Sequence, residues 1–264
     1  MNKKIISVIN QKGGVGKTTT VVNLAASLSI MGRKTLVVDL DPQGNATTGL
    51  GKSNTQEENN IYNLLIGNIK LEQAIHHTDI KNLDLISSTV NLSGLEVETA
   101  NNDDRAFTLK QIFNRSKKDV LSKYDYIFID CPPSLSLLTV IALVGSDELI
   151  VPLQTEFFAL EGITQLINTI DRIKEKLNPE LSVRGILLTM FDKRNKLSGE
   201  VDIEARNHFK SKVYNTVIPR NVRLSEAPSH GLPCVIYDKT CVGSKAYFDF
   251  ANEFLSSNRK VSAA

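Results

Sequence analysis

The stretch that decides the fold is "NQKGGVGKTTT", Asn10 to Thr20. A phosphate-binding loop reads G-x-x-x-x-G-K-[ST]. With Gly16-Lys17-Thr18 set on the end of that pattern, its first glycine falls on Gln11. The glycines stand further along, at Gly13 and Gly14, and a second lysine, Lys12, precedes them. Such a loop works because successive backbone N–H groups face the phosphates and the helix that follows adds its positive end. Lys17 is placed to reach the β- and γ-phosphates, and the Thr18 hydroxyl to bind Mg²⁺. The plainer reading, a glycine turn capping a helix, requires glycine spacing, lysine, threonine and flanking elements all to coincide by chance.

The flanks agree with a phosphate loop. Ile5 to Ile9 is a short β-branched run, expected as a buried strand, and Val21, Leu24, Ala25 and Leu28 recur at helical spacing after the loop. Gly32 ends that helix and Thr35 to Val38 opens the next strand, which completes a βαβ unit. The rhythm continues with strands at Leu83–Ile86, Tyr126–Ile129, Leu149–Val151, Ile186–Leu188 and Val213–Ile218. Helices are expected around Phe107–Leu121, along the Ile163, Leu166, Ile167, Ile170 and Ile173 face, near Val201–Lys210 and around Lys245–Leu255. This alternation predicts an α/β fold, a mainly parallel twisted sheet with helices on both faces. The polar stretch Lys52 to Asn60 reads as a loop insertion, so residues 1–264 are expected to form a single domain.

Two further stretches carry carboxylates where a phosphate loop needs them. "VVDLDPQGN" ends a strand with Asp39 and Asp41, which period-2 alternation puts on one side, and Pro42 stops the strand. "YIFIDCPPS" brings Asp130 to the end of another strand. A carboxylate at a strand's C-terminal edge beside such a loop holds Mg²⁺, commonly through a water. Either aspartate alone would read as a turn residue; beside the loop they read as a site.

Composition narrows the class. The chain is 41% hydrophobic with a net charge of +2, ordinary for a folded soluble protein. From Leu181 onward there are 13 Lys+Arg against 8 Asp+Glu, a local +5 that leaves −3 for the rest. Cys131, Cys234 and Cys241 make neither a disulfide framework nor a metal motif, and the Cys234–Cys241 spacing does not suit an iron–sulfur cluster. A reducing cytoplasm is the expected setting, with no signal peptide and no apolar run near the ~20 residues of a membrane span. The adjacent His76 and His77 are read as a surface loop, and Cys131 as a packed thiol.

Taken together, "KGGVGKTT", "DLDPQGN", "FIDCPP" and "IPRNVRLSEAPSHG" (Ile218 to Gly231) resemble the deviant Walker A P-loop ATPases of the ParA/Soj chromosome- and plasmid-partitioning family. The match runs in order over nearly the whole chain. The first motif is shared with MinD and nitrogenase iron protein; the last narrows it to the short, Soj-like branch, without an N-terminal helix-turn-helix extension. The resemblance implies two protomers closing face to face on two ATP molecules with Mg²⁺. Lys12 would then cross to the partner's nucleotide, Lys17 would serve its own, and Gly13, Gly14, Val15, Gly16, Thr18 and Thr19 would bind phosphate. Asp41 would position the attacking water, Asp130 the water shell of the metal, and Pro219 and Asn221 would hold the adenine.

The same resemblance implies nonspecific double-stranded DNA as a partner of the ATP state, through Arg194, Arg220 and Arg223, and a centromere-binding ParB protein that stimulates slow hydrolysis. The chain would be cytoplasmic and nucleoid-associated. Without the resemblance, "DKRNK" (Asp192 to Lys196) and these arginines read as solvated loops. Two other readings stand beside it. A MinD-like membrane-cycling ATPase needs a basic amphipathic C-terminal helix, whereas "FLSSNRKVSAA" has two basic residues and little apolar surface. A biosynthetic P-loop ligase, similar to dethiobiotin synthetase, needs a small-molecule pocket that the sequence does not mark.

Overall fold

The computed structural model describes residues 3–52, 58–116, 118–156 and 159–261. Seven strands form one sheet: β1 (Lys4–Val8), β2 (Thr35–Asp39), β3 (Ile75–His77), β4 (Leu83–Ile86), β5 (Tyr126–Asp130), β6 (Glu148–Gln154) and β7 (Ser182–Thr189). Their order is β3-β4-β2-β5-β1-β6-β7. Every neighbouring pair is parallel except β3 with β4.

Side-chain alternation builds two cores from one sheet. Ile5 of β1 and Ile127 and Ile129 of β5 enter one layer, while Ile6, Val8, Tyr126 and Phe128 enter the other. The first layer is closed by helices Leu137–Val144 and Ala159–Lys176 through Leu138, Ile141, Ile163, Leu166 and Ile170. The second is closed by α1 (Lys17–Ile30) and the helix Val242–Val261, with Leu24, Leu28, Phe250 and Phe254 fully buried. Strands covered on both faces need continuous apolar runs, and the central ones have them. The chain leaves β1 toward β2 on one side and reaches β6 on the other, so β1 lies at the point where the order reverses. Ligand crevices of open α/β sheets form there, outside the carboxyl ends of the strands.

Four expectations from sequence need correction. Val213–Ile218 is not a strand: it meets β7 through one isolated bridge, Ile186 with Val213, and a second bridge joins Phe191 and Pro219 just past the ends of both. The Glu253 carboxylate takes the N–H groups of Asn215 and Thr216 at 2.7 and 2.8 Å, which removes the middle of the segment from any ladder. The helix expected over Phe107–Leu121 is two pieces, Thr108–Arg115 and Lys118–Ser122. It breaks at Ser116, whose backbone is extended and whose hydroxyl donates to Phe113 O; residue 117 lies outside the described set. His76 and His77 belong to edge strand β3 rather than a loop, with His77 paired to Asp84 across the ladder. Finally, β2 stops at Asp39, so Asp41 lies beyond the strand and alternation does not relate the two carboxylates. Of the polar insertion Lys52–Asn60, residues 53–57 fall outside the described set.

Candidate active site

The loop between β1 and α1 is held from three sides. Asn10 Nδ2 donates to Pro152 O at 2.7 Å, Lys12 N–H donates to Asn10 Oδ1 at 3.0 Å, and the Thr189 hydroxyl donates to Val15 O at 2.9 Å. Gly14 and Gly16 have φ of 74° and 88°, a left-handed backbone that side chains resist. Gly16 precedes the first residue of α1, whose opening turn carries no acidic residue. The positive end of a 14-residue helix is therefore left for an external anion.

The two lysines are separated by burial. Lys12 is exposed, whereas Lys17 is only 6% exposed and its Nζ donates to the Lys12 carbonyl at 3.0 Å. Burial pushes the Lys17 ammonium below the usual lysine range, opposed by Asp130, Cys131 and Asp41. Cys131 is fully buried, and burial together with Asp130 raises its thiol.

Three carboxylates stand behind and beside this loop. Asp41 lines the cavity over Gly13, Gly14, Gly16, Lys17, Thr18 and Thr19, and its Oδ1 accepts from Gln43 N–H at 3.0 Å. Asp39 is fully buried and accepts from Thr47 N–H, the Thr47 hydroxyl and Asp41 N–H. Asp130, also fully buried, has no bonded donor on either oxygen within normal geometry. Burial, then Asp39, raise the proton affinity of Asp130, while Thr18 and Lys17 oppose them. A buried carboxylate left unsatisfied beside a threonine and a lysine has the donor chemistry that a hydrated divalent cation completes. The residues present therefore fit Mg²⁺ with phosphate.

A second cavity of about 380 Å³ adjoins the phosphate cavity. Both are lined by Gly16, Thr18, Thr19, Asn45 and Met190, and the second extends to Pro219, Arg220, Asn221, Leu224 and Cys234. Pro219 and Asn221 thus face the same opening as the phosphate loop. The Asn221 side chain also accepts from Arg223 N–H at 3.0 Å, capping the short helix Val222–Glu226. Sequence reading did not single out Asn45, although it lies in the quoted "DLDPQGN", nor Met190. Met190 has a φ of 53°, a strained backbone for a non-glycine residue, which no sequence signal announces.

The arginines differ. Arg194 is exposed but bonded to Asp192 at 3.0 and 2.9 Å, and Arg223 to Glu226 at 2.8 Å. Arg220 is exposed at the lining of the second cavity, and no ion pair involves it among the described residues. Among those residues no group of three or more His, Cys, Asp or Glu is arranged to hold a bare metal. No helix among them is long and apolar enough to cross a membrane.

Comparison with known proteins agrees over most of the chain. The sequence model of a family described as an AAA domain matches residues 3–183. The sporulation initiation inhibitor protein Soj of Bacillus subtilis (strain 168) is 49% identical, covering 95% of this chain and 97% of that protein. The chromosome partitioning protein ParA of Caulobacter vibrioides (strain NA1000 / CB15N) is 46% identical, covering 97% and 95%. A cobyrinic acid a,c-diamide synthase from Mycobacterium smegmatis, crystallised with ADP and magnesium, superposes with a TM-score of 0.81 at 32% identity, covering 96% and 94%.

Proposed function

The chain belongs to the ParA/Soj family of chromosome-partitioning P-loop ATPases, and from that premise we propose that it is an ATP-driven dimerisation switch that holds DNA. The observation that carries the proposal is the division between its lysines. Lys17 is buried with its ammonium on the Lys12 carbonyl, while the Lys12 side chain stands in solvent. A second observation supports a partner copy. Among the described residues a Cβ at Gly13 would meet Pro133 alone, at 3.9 Å, so none of them requires glycine there. Close approach by a second loop of the same kind would.

Phosphoryl transfer asks a protein mostly for position and charge. Lys17 exchanges the Lys12 carbonyl for a β/γ-phosphate oxygen, and the N–H groups of Gly13 to Thr19 hold the phosphate chain. Thr18 and, through water, Asp130 hold Mg²⁺, which when bound neutralises charge on the phosphates. Asp41, at the rim of the same cavity, orients the attacking water. Pro219 and Asn221 take the adenine. Lys12 adds its charge to the partner's γ-phosphate only when two chains meet, so nucleotide state and dimer are linked by differential binding. The ATP dimer binds double-stranded DNA through Arg220, with Arg194 and Arg223 contributing where their carboxylate partners yield. A ParB-type partner accelerates turnover and releases the dimer.

The test is the ATPase rate with DNA and the cognate ParB-type protein, added separately and together. Synergy is the expected result; indifference to both would overturn the partitioning role. The likeness to the diamide synthase favours one alternative, a P-loop ligase. A burst of ADP dependent on an added small-molecule acid would reveal it.

A further inference from the structure

Asp41 lies outside any strand, and a residue that must orient a water within a few tenths of an ångström needs support. A closed ring of buried hydrogen bonds supplies it. The Ser88 hydroxyl donates to Asp41 O at 2.5 Å. Ser88 N–H donates to the Thr47 hydroxyl at 2.9 Å, and that hydroxyl donates to Asp39 Oδ2 at 2.7 Å. Asp39 Oδ2 also accepts from Thr47 N–H at 2.7 Å, and Asp39 Oδ1 accepts from Asp41 N–H at 3.2 Å, which returns the ring to its start. Thr47 and Asp39 are fully buried, Ser88 is 2% exposed and Asp41 6%.

The ring ties three pieces of chain to one another: the end of β2, the helix α2 (Asn45–Gly49) and the exit of β4. Both backbone polar groups of Asp41 are captured by it, its N–H by Asp39 and its carbonyl by Ser88, with Gly44 N–H sharing the carbonyl at 2.9 Å. The side chain keeps one oxygen, Oδ1, on Gln43 N–H and lines the cavity over the loop. The Thr47 hydroxyl is spent as donor and acceptor at once, so a methyl in its place loses two bonds and leaves Ser88 N–H and an Asp39 oxygen short of partners. Buried groups left so are costly.

The geometry points to Thr47 and Ser88 as positioning residues for Asp41, acting through Asp39 and the Asp41 backbone. This rests on the reading of Asp41 as the residue that orients the attacking water. It also separates the two aspartates of "DLDP": Asp39 holds the frame and Asp41 faces the reaction.

The experiment uses the full chain with Mg²⁺ and ATP, measuring kcat, KM and binding of a non-hydrolysable ATP analogue. In Thr47→Val kcat falls roughly ten- to a hundredfold, as misplacement by an ångström does, while analogue affinity stays within about twofold. Thr47→Ser keeps a hydroxyl with both roles and restores kcat. Ser88→Ala removes only the bond to the Asp41 carbonyl and lowers kcat in the same sense, which decides the matter if Thr47→Val does not fold. A merely structural role would lower analogue binding together with kcat. Asp41→Asn is the control. If it hydrolyses normally, the reading of Asp41 fails. If it is inactive while Thr47→Val or Ser88→Ala turns over at the wild-type kcat, the positioning inference fails.

Discussion

Asp39 and Asp130 end neighbouring strands in direct register, yet Asp39 receives three hydrogen bonds and Asp130 none. Two fully buried carboxylates side by side do not both ionise without a counter-charge. Burial and the neighbouring Asp39 raise the proton affinity of Asp130 in the nucleotide-free protein, against Thr18 and Lys17, while burial raises Asp39 to about 6 against its three hydrogen bonds. A bound cation would favour the ionised form of Asp130 instead.

Asp130→Asn follows from that relationship. Well below the ordinary aspartate value of 3.8, folded and unfolded chains both hold the Asp130 proton and the group is neutral to stability. As pH rises, the unfolded chain releases it while the folded chain retains it, so the nucleotide-free fold loses stability until the folded group also ionises. Thermal denaturation in chelator should show Asp130→Asn more stable than the wild type at pH 8, by about 1–3 kcal/mol, with the gap closing toward pH 4. Mg²⁺-dependent ATPase should be lost in the same variant. A gap that does not change with pH would contradict the raised proton affinity of Asp130.

Much of this architecture was legible because it depends on local pattern. The run Ile5–Ile9 and the run Tyr126–Ile129 have only one comfortable place, a strand covered on both faces, and the glycine–lysine loop follows the first. What could not be read depends on partners far along the chain. Val213–Ile218 looks like a strand until Glu253 takes two of its N–H groups. Thr47 and Ser88 are ordinary polar residues until a fold brings together positions 41 and 47 residues apart. The site divides the same way: Lys17 and Thr18 announce themselves by spacing, whereas Met190 and Asn45 enter the site only through the geometry of β7 and α2.

Gly185→Ala tests how the irregular segment is held. A Cβ at Gly185 would come within 2.5 Å of Tyr214 Cε2 and 3.1 Å of Lys212 O. Tyr214 is buried and packs edge-on against Phe250 at 4.8 Å, so its ring has no easy retreat. Overpacking of this kind costs about 1–3 kcal/mol, a fall of several degrees in Tm by calorimetry. Because the displaced segment runs into Pro219 and Asn221, KM for ATP should rise as well. A folded variant with both values unchanged would show that the contact relaxes freely.

Arg220→Glu separates DNA binding from the switch. Arg220 is exposed without an ion pair among the described residues, whereas Arg194 and Arg223 are engaged by Asp192 and Glu226. Reversing its charge should weaken DNA binding by about tenfold or more at low salt and flatten the salt dependence by about one phosphate contact on each protomer. ATP-dependent dimers should persist in gel filtration. Unchanged affinity across a salt titration would exclude Arg220 from the DNA surface.

Lys12→Ala tests the division of labour between the lysines. The contact that Lys12 makes with Lys17 uses its backbone carbonyl, at 3.0 Å, and its own N–H is held by Asn10. Truncating the side chain therefore leaves the loop and the Lys17 latch in place, and a single protomer should bind ATP with affinity changed by no more than about twofold. The exposed ammonium is lost, and with it the charge offered to the γ-phosphate of a partner. Loss of one preorganised donor at a developing charge costs about 10²–10³ in kcat, so turnover should fall by at least about a hundredfold. Sedimentation with ATP should report monomers where the wild type gives dimers. Normal turnover by a monomeric Lys12→Ala protein would mean that hydrolysis needs no second chain, and that the lysine ahead of Gly13 serves some other purpose.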